Sequence, residues 1–260
     1  MSTSTPTHTN ADPVADNGAP QQLRRGDSLV GLRHLVRLIV RRDRWRIVWW
    51  AAGIVGLVAA TGSSITGIYD TQAELEQYAQ LMRDNAALIV QAGPGYGLDT
   101  PTTGAVMMNE MGVWTIVAIS LMNLFIIVRH TRPEEETARA ALDRAAPVGR
   151  YTATSAAMLG ATLANLVLSI GVVVAMQLYG LPLSGSVAFG AALLGAGSTF
   201  AAVGAVTAQI AGSSRSALAM GGIVLAASFV IRAGGDVGSG HLSWLSPIGW
   251  AQAIRAFADE

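Results

Sequence analysis

The sequence predicts an all-α polytopic membrane protein. Three observations predict this class: an apolar composition, five apolar runs of membrane-spanning length, and arginines near the ends of those runs. Hydrophobic residues make up 51% of the 260 residues and charged residues 13%, and the mean hydropathy is +0.42. Soluble domains carry about 25% charged residues. We therefore expect a helix bundle with about five transmembrane helices, an amphipathic elbow helix, an extracytoplasmic helix and a short charged cytoplasmic helix.

Residues 1–26 are polar and small, so they bury too little apolar surface to fold and are expected to form a disordered cytoplasmic tail. No apolar segment follows a charged start, so this stretch is not a cleavable signal peptide. Residues 27–46 have a basic helical face opposite an apolar one, which predicts an elbow helix lying along the inner leaflet. Such a helix anchors the first span, and it can also touch a cytoplasmic partner; both interpretations stay open. The basic face consists of Arg33, Arg37, Arg41 and Arg44.

The transmembrane domain is predicted over residues 47–260. An apolar run of about 20 residues can cross the hydrocarbon core as a helix. Arginines near span ends favour the cytoplasm. With the N-terminus inside, 14 of the 17 arginines lie inside, and only Arg83, Arg232 and Arg255 lie outside. We therefore expect a multi-pass protein of the plasma membrane with a cytoplasmic N-terminus. The predicted spans are 47–68, 106–128, 152–178, 186–209 and 214–232.

Residues 69–105 are too polar to cross a membrane and are predicted to lie outside. The stretch "TQAELEQYAQLMRDNAALIVQAG" indicates one helix, because Thr71 and Glu74 form a capping-box pattern and Gly93 marks the end. The glycine-rich loop "GPGYGLDT" follows.

Asn109 and Glu110 lie about one turn into the second span. A carboxylate inside a membrane is a functional candidate because its burial is costly. At the outer interface the same side chain reaches water, so a structural role and contact with substrate or a proton both remain open.

Residues 129–150 form the only long predicted cytoplasmic loop, and nine of these 22 residues are charged. Thr131 and Glu134 repeat the capping-box pattern, and successive glutamates favour the positive end of a helix dipole. The pattern predicts a polar helix over 131–146 that ends before Pro147. It is either a solvated connector or a docking surface for a soluble protein that moves the spans.

Several chemistries are excluded by composition. The chain has no Cys, and all 17 basic residues are Arg. Without Lys there is no conventional P-loop, no Schiff base and no Ser-Lys dyad. The four histidines are scattered and form no HExxH pattern, so we expect no metal site. We expect no catalysis and no cofactor in this chain.

The stretches "RHTRPEEETARAALDRAAPVGR", "GPGYGLDT" and "LSPIGWAQAIR" resemble the permease subunits of type-2 ABC exporters, especially actinobacterial antibiotic and multidrug exporters. The resemblance runs from about residue 30 to the end. It implies that 131–146 is a coupling helix docked in a separate ATP-binding cassette subunit, where ATP and Mg bind. It also implies that residues 28–46 form the elbow helix. The implied coupling residues are Glu134, Glu135, Glu136, Arg139, Asp143 and Arg144.

The resemblance also implies that cargo passes between two six-span permease halves. This sequence has five spans, so we expect the first half of a longer permease, a fragment, or a short version. We expect an ATP-driven exporter of drugs, antibiotics or other amphipathic molecules. Its expected partners are the ATPase subunit, a second permease half and membrane lipid, with no nucleic acid.

Two alternatives remain from the sequence. An ion-gradient-driven secondary transporter needs buried ionisable residues near the midplane, and the third to fifth spans show none. The other alternative is a non-transporting membrane scaffold or assembly subunit.

Overall fold

The computed structural model describes residue 29 and residues 31–83, 85–131 and 151–258. The regular secondary structure of these residues is helical. The predicted tail 1–26 and the predicted helix 131–146, from residue 132 onward, lie outside the described residues. The helices are α1 (Leu32–Ile68), α2 (Gln72–Arg83), α3 (Ala86–Ala92), α4 (Thr103–Thr131), α5 (Thr152–Leu178), α6 (Leu183–Ile210), α7 (Ser214–Val237), a 3-10 helix (His241–Leu245) and α8 (Pro247–Gln252).

Five of these helices, α1, α4, α5, α6 and α7, are long and apolar enough to cross a membrane. The prediction of an all-α bundle with five spans is confirmed. The third predicted span, 152–178, coincides with α5. Helix α4 is longer than the predicted 106–128 at both ends, and α7 continues to Val237, beyond the predicted end at 232.

The predicted elbow, 27–46, is not separated from the first span by a break, because α1 runs from Leu32 to Ile68 without interruption. The physical reason is that its apolar face enters the bundle early. Ile39 is buried and lies against Gly160 of α5. Farther along the pair, Gly62 lies against the ring of Tyr179, so α1 and α5 pack in parallel over most of their length.

The five long helices alternate in direction, which places the connecting segments at two opposite ends. At one end, Asp43 of α1 meets His130 near the end of α4; we call this the arginine end. At the other end, Gln252 donates a hydrogen bond to the carbonyl oxygen of Ala92 at 3.2 Å; we call this the far end. Helices α2, α3 and α8 lie at the far end.

The far-end segment differs from the single helix predicted over 71–93. The capping box at its start is confirmed, since the Thr71 backbone N–H donates to Glu74 Oε2 at 2.9 Å. The helix then breaks, because the Asn85 side chain accepts bonds from the backbone N–H groups of Ala87 and Leu88 and starts α3. The predicted end at Gly93 is confirmed as the C-cap of α3.

The C-terminal segment folds back into the far end. Phe257 is 3% exposed and takes a positive φ of 64°. Its ring lies against Gly104 of α4 and Gly185 of α6, where any side chain would collide with it. The ring therefore fills the space where the first turns of these two helices approach each other.

A buried amide pair joins the long helices in the middle of the bundle. Asn123 Nδ2 donates to Asn165 Oδ1 at 2.7 Å, and Asn165 Nδ2 donates back to Asn123 Oδ1 at 3.1 Å. Both residues are fully buried. Gly197 of α6 packs against the Asn165 amide, so α4, α5 and α6 meet at one point.

We expect Gly197→Ala to destabilise the bundle by about 1–3 kcal/mol. The added carbon would lie 2.8 Å from the Asn165 amide, which cannot turn away without losing its bonds to Asn123. Gly195→Ala on the same helix is the control, because nothing lies within 4 Å of its added carbon. Thermal unfolding of both variants in detergent measures the effect. Equal midpoints for the two variants would contradict this packing.

Candidate functional site

The arginine end carries a charged cluster of four residues: Asp43, Arg46, Arg129 and His130, the arginine-end cluster. Asp43 is 1% exposed. Its carboxylate lies within ion-pair distance of each of the other three side chains. Its Oδ1 lies 3.1 Å from Arg46 Nη1 and 3.6 Å from Arg129 Nε, and its Oδ2 lies 2.5 Å from His130 Nε2. A buried carboxylate is thus paired on both oxygens, as its burial requires.

The helical register of α1 explains why this one acid is buried. Asp43 lies four residues after Ile39, so it continues the face of α1 that enters the bundle. Arg41 and Arg44 project from the exposed face. His130 is in the last turn of α4, which ends at Thr131. The cluster therefore ties α1 to the last turn of α4, next in sequence to residues 132–150.

A second polar cluster lies at the far end. The Tyr78 hydroxyl contacts both predicted residues, at 3.0 Å from Asn109 Oδ1 and 2.7 Å from Glu110 Oε1. Asn109 is buried, whereas Glu110 is exposed. Burial raises the pKa of the Tyr78 phenol, and the hydrogen bond to Glu110 raises it further. Tyr78 therefore stays protonated and holds α2 on the first turns of α4.

A buried ion pair closes the end of α7. Arg232 is 0% exposed. Its Nη1 lies 3.1 Å from Asp236 Oδ2, and its Nη2 donates to the Val90 carbonyl oxygen at 2.7 Å. Ser243 donates to the other carboxylate oxygen of Asp236 at 2.6 Å. The pair links α7 to α3 and to the 3-10 helix.

The predicted site residues are only partly brought together. Asn109 and Glu110 share Tyr78, as described. Arg33, Arg37, Arg41 and Arg44 are exposed along the first part of α1. The structure does not describe residues 132–150, so it does not describe the predicted coupling residues: Glu134, Glu135, Glu136, Arg139, Asp143 and Arg144.

Sequence reasoning missed the buried charges. Asp43 is a single acid within the basic run "RRDRWR", and its place on the Ile39 face was the available signal. The sequence placed Arg232 outside, at the end of the fifth predicted span, and gave no sign that it is buried. Helix α7 extends about one turn beyond 232 and buries Arg232 with Asp236.

Across residues 31–83, 85–131 and 151–258, no three His, Cys, Asp or Glu side chains are grouped closely enough to hold a metal ion. In those ranges the clusters consist of hydrogen bonds and ion pairs. They hold helices together and present charge at two ends of the bundle.

The chain is similar to a multidrug efflux system permease protein of Mycobacterium tuberculosis. The two are 35% identical over 243 residues, which is 91% of this chain and 42% of that protein. The chain thus spans about two-fifths of the relative's length. No protein-family profile matches the chain. The predicted resemblance to actinobacterial exporter permeases is confirmed, and together with the five apolar helices it identifies a multi-pass membrane protein.

We expect Arg232→Gln to lower the free energy of unfolding by about 3 kcal/mol, because it leaves the buried Asp236 carboxylate without its cation. The double variant Arg232→Gln/Asp236→Asn should be more stable than the single one. Arg255→Gln, an exposed arginine at the same end, is the control. Unfolding by denaturant titration measures all three. A single variant as stable as the control would show that the ion pair does not hold the far end.

Proposed function

We propose that this chain, a homologue of a multidrug efflux permease over most of its length, is the membrane-spanning permease half of an ATP-driven exporter. The observation that carries the proposal is that similarity, found in a chain with five helices of membrane-spanning length. The cargo class is drugs, antibiotics or other amphipathic molecules, in keeping with the multidrug name of the relative.

ATP hydrolysis takes place in a separate ATP-binding cassette subunit that holds ATP and Mg. The absence of Lys supports this division, because a conventional P-loop needs Lys on the nucleotide phosphates. Residues 131–146 form the coupling helix that docks on that subunit. Its contacts are made by Glu134, Glu135, Glu136, Arg139, Asp143 and Arg144.

The arginine-end cluster supports the coupling role of this segment. Residues 132–150 join α4 to α5, and Asp43 joins the same end of α4 to α1. A push on the segment therefore reaches three long helices directly. A rigid connection of this kind transmits motion, whereas a loop without packed neighbours absorbs it.

Cargo passes between this half and a second permease half, which is either a further part of a longer chain or another copy. The N-terminus and the arginine end lie in the cytoplasm of a plasma-membrane protein. Eight described arginines lie on the arginine-end side, in the first part of α1, the last turn of α4 and the first turn of α7, and three lie at the far end: Arg83, Arg232 and Arg255. This grouping agrees with the positive-inside rule for a cytoplasmic N-terminus.

An ion-gradient-driven transporter is not favoured by the described buried ionisable groups. The Asp43–His130 pair involves the last turn of α4, and the Arg232–Asp236 pair lies in the last two turns of α7. The buried pair in the middle, Asn123 with Asn165, does not titrate. Nothing described marks a proton path across the bundle.

Reversing Glu134, Glu135 and Glu136 to Arg should uncouple the complex without preventing membrane insertion. We expect drug-stimulated ATP hydrolysis of the co-purified complex to fall by about tenfold, since losing about 1.4 kcal/mol of docking free energy is a tenfold loss of affinity. Asp70→Arg/Glu76→Arg at the exposed far end is the control. Undiminished stimulation in the triple variant would count against the coupling role. Purification of the chain without any ATPase subunit would count against the exporter.

The segment around Ala140 should be cytoplasmic. In the natural Cys-free chain, Ala140→Cys is expected to resist an impermeant maleimide in intact cells and to react after permeabilisation. Glu76→Cys at the far end should react in intact cells. The reverse pattern would overturn the orientation.

A further inference from the structure

A groove opens beside the arginine-end cluster, between α1, α4 and α7. Its volume is about 420 Å³, within the range of small-molecule sites. Charged groups line one part and apolar side chains the other. The residues used in the argument are Arg46, Trp50, Phe125, Ile126, Arg129 and Leu218.

The charged part of the groove has an excess of positive charge. Arg46, Arg129 and His130 converge on Asp43, which is the one acid among the residues that line the groove. Even with His130 neutral, two guanidinium groups share a single carboxylate. Their side chains remain 52% and 37% exposed, so both can still donate hydrogen bonds to a further anion.

Two aromatic rings line the apolar part of the groove. The rings of Trp50 and Phe125 pack against each other, tilted by 33° with centroids 6.3 Å apart. Phe125 is 45% exposed, and Ile126 and Leu218 add aliphatic surface. An apolar surface that begins beside two arginines, near the end of α4, matches a ligand with an anionic head and a hydrocarbon tail.

We propose that this groove binds an anionic phospholipid, with its phosphate on Arg46 and Arg129 and one acyl chain along Trp50 and Phe125. Arginine donates to phosphate oxygens in a planar, often bidentate geometry. The excess positive charge favours a lipid with net negative charge over a zwitterionic lipid, whose ammonium group would approach the same arginines. Cationic amphiphiles are disfavoured for the same reason. The site lies beyond the export activity proposed above and does not depend on it.

The intrinsic fluorescence of Trp50 provides a probe inside the groove. The purified full chain is placed in vesicles of equal parts phosphatidylglycerol and phosphatidylcholine, with bromine on the acyl chains of only one of the two lipids. Brominated chains quench a tryptophan that they contact. Subtracting the signal of Trp50→Phe isolates the contribution of Trp50 from those of the other five tryptophans.

We expect Trp50 to be quenched about fivefold more by brominated phosphatidylglycerol than by brominated phosphatidylcholine. One uncompensated arginine near the surface favours an anionic lipid by about that factor in affinity. Arg46→Gln/Arg129→Gln should reduce the ratio to about one. Arg46→Lys/Arg129→Lys should keep most of it, because both positive charges remain, and the thermal midpoint of the double Gln variant shows separately whether that variant is folded. The matched control is Arg41→Gln/Arg44→Gln, two exposed arginines on α1 outside the groove, and it should leave the ratio unchanged.

Three results would overturn the proposal. Equal quenching by the two lipids would show ordinary lipid contact without recognition. Absence of quenching by either lipid would show that protein, such as a second copy of this chain, fills the groove. Loss of the preference on adding inorganic phosphate at millimolar concentration would identify a site for the free anion instead of a lipid.

Discussion

Hydrocarbon offers no hydrogen-bond partner to a polar group, and this constraint shapes the whole bundle. Helices satisfy the backbone internally, so each buried polar side chain must find a partner on its own helix or on a neighbouring one. Asn123 pairs with Asn165, and Asp43 pairs with His130. Helix α4 contributes one residue to each pair. It is also the most buried of the five long helices. Helix α4 is therefore the central element of the bundle.

The two ends of the bundle satisfy charge in different ways. At the far end, Arg232 and Asp236 neutralise each other completely inside the protein, and Phe257 fills the space between α4 and α6. At the arginine end, one buried carboxylate serves several cations, and positive charge remains exposed. The Arg232–Asp236 pair is therefore neutralised by internal contacts, whereas the two arginines around Asp43 keep part of their surface exposed.

In the proposed exporter, α4 would transmit motion from one end of this permease half to the other. One end of the helix continues into residues 132–150, and its other end carries Asn109 and Glu110 beneath Tyr78. The Asn123–Asn165 amide pair lies between these two ends and fixes the position of α4 along α5 and α6. Motion received at one end would therefore reach the far-end polar cluster through a single packed helix, without the need for a separate relay.

The sequence by itself determined the all-α class, the number of spans and the bounds of the most periodic ones, because hydropathy and capping are local properties of the chain. It also singled out Asn109 and Glu110, which both contact Tyr78. Only the tertiary structure decided that α1 continues through the predicted elbow and that Asp43 and Arg232 are buried. Each has a partner far away in sequence besides its local one: His130 lies 87 residues from Asp43, and Val90 lies 142 residues from Arg232. Burial of a charge depends on which helices pack together, and local pattern shows only which face of a helix can be buried.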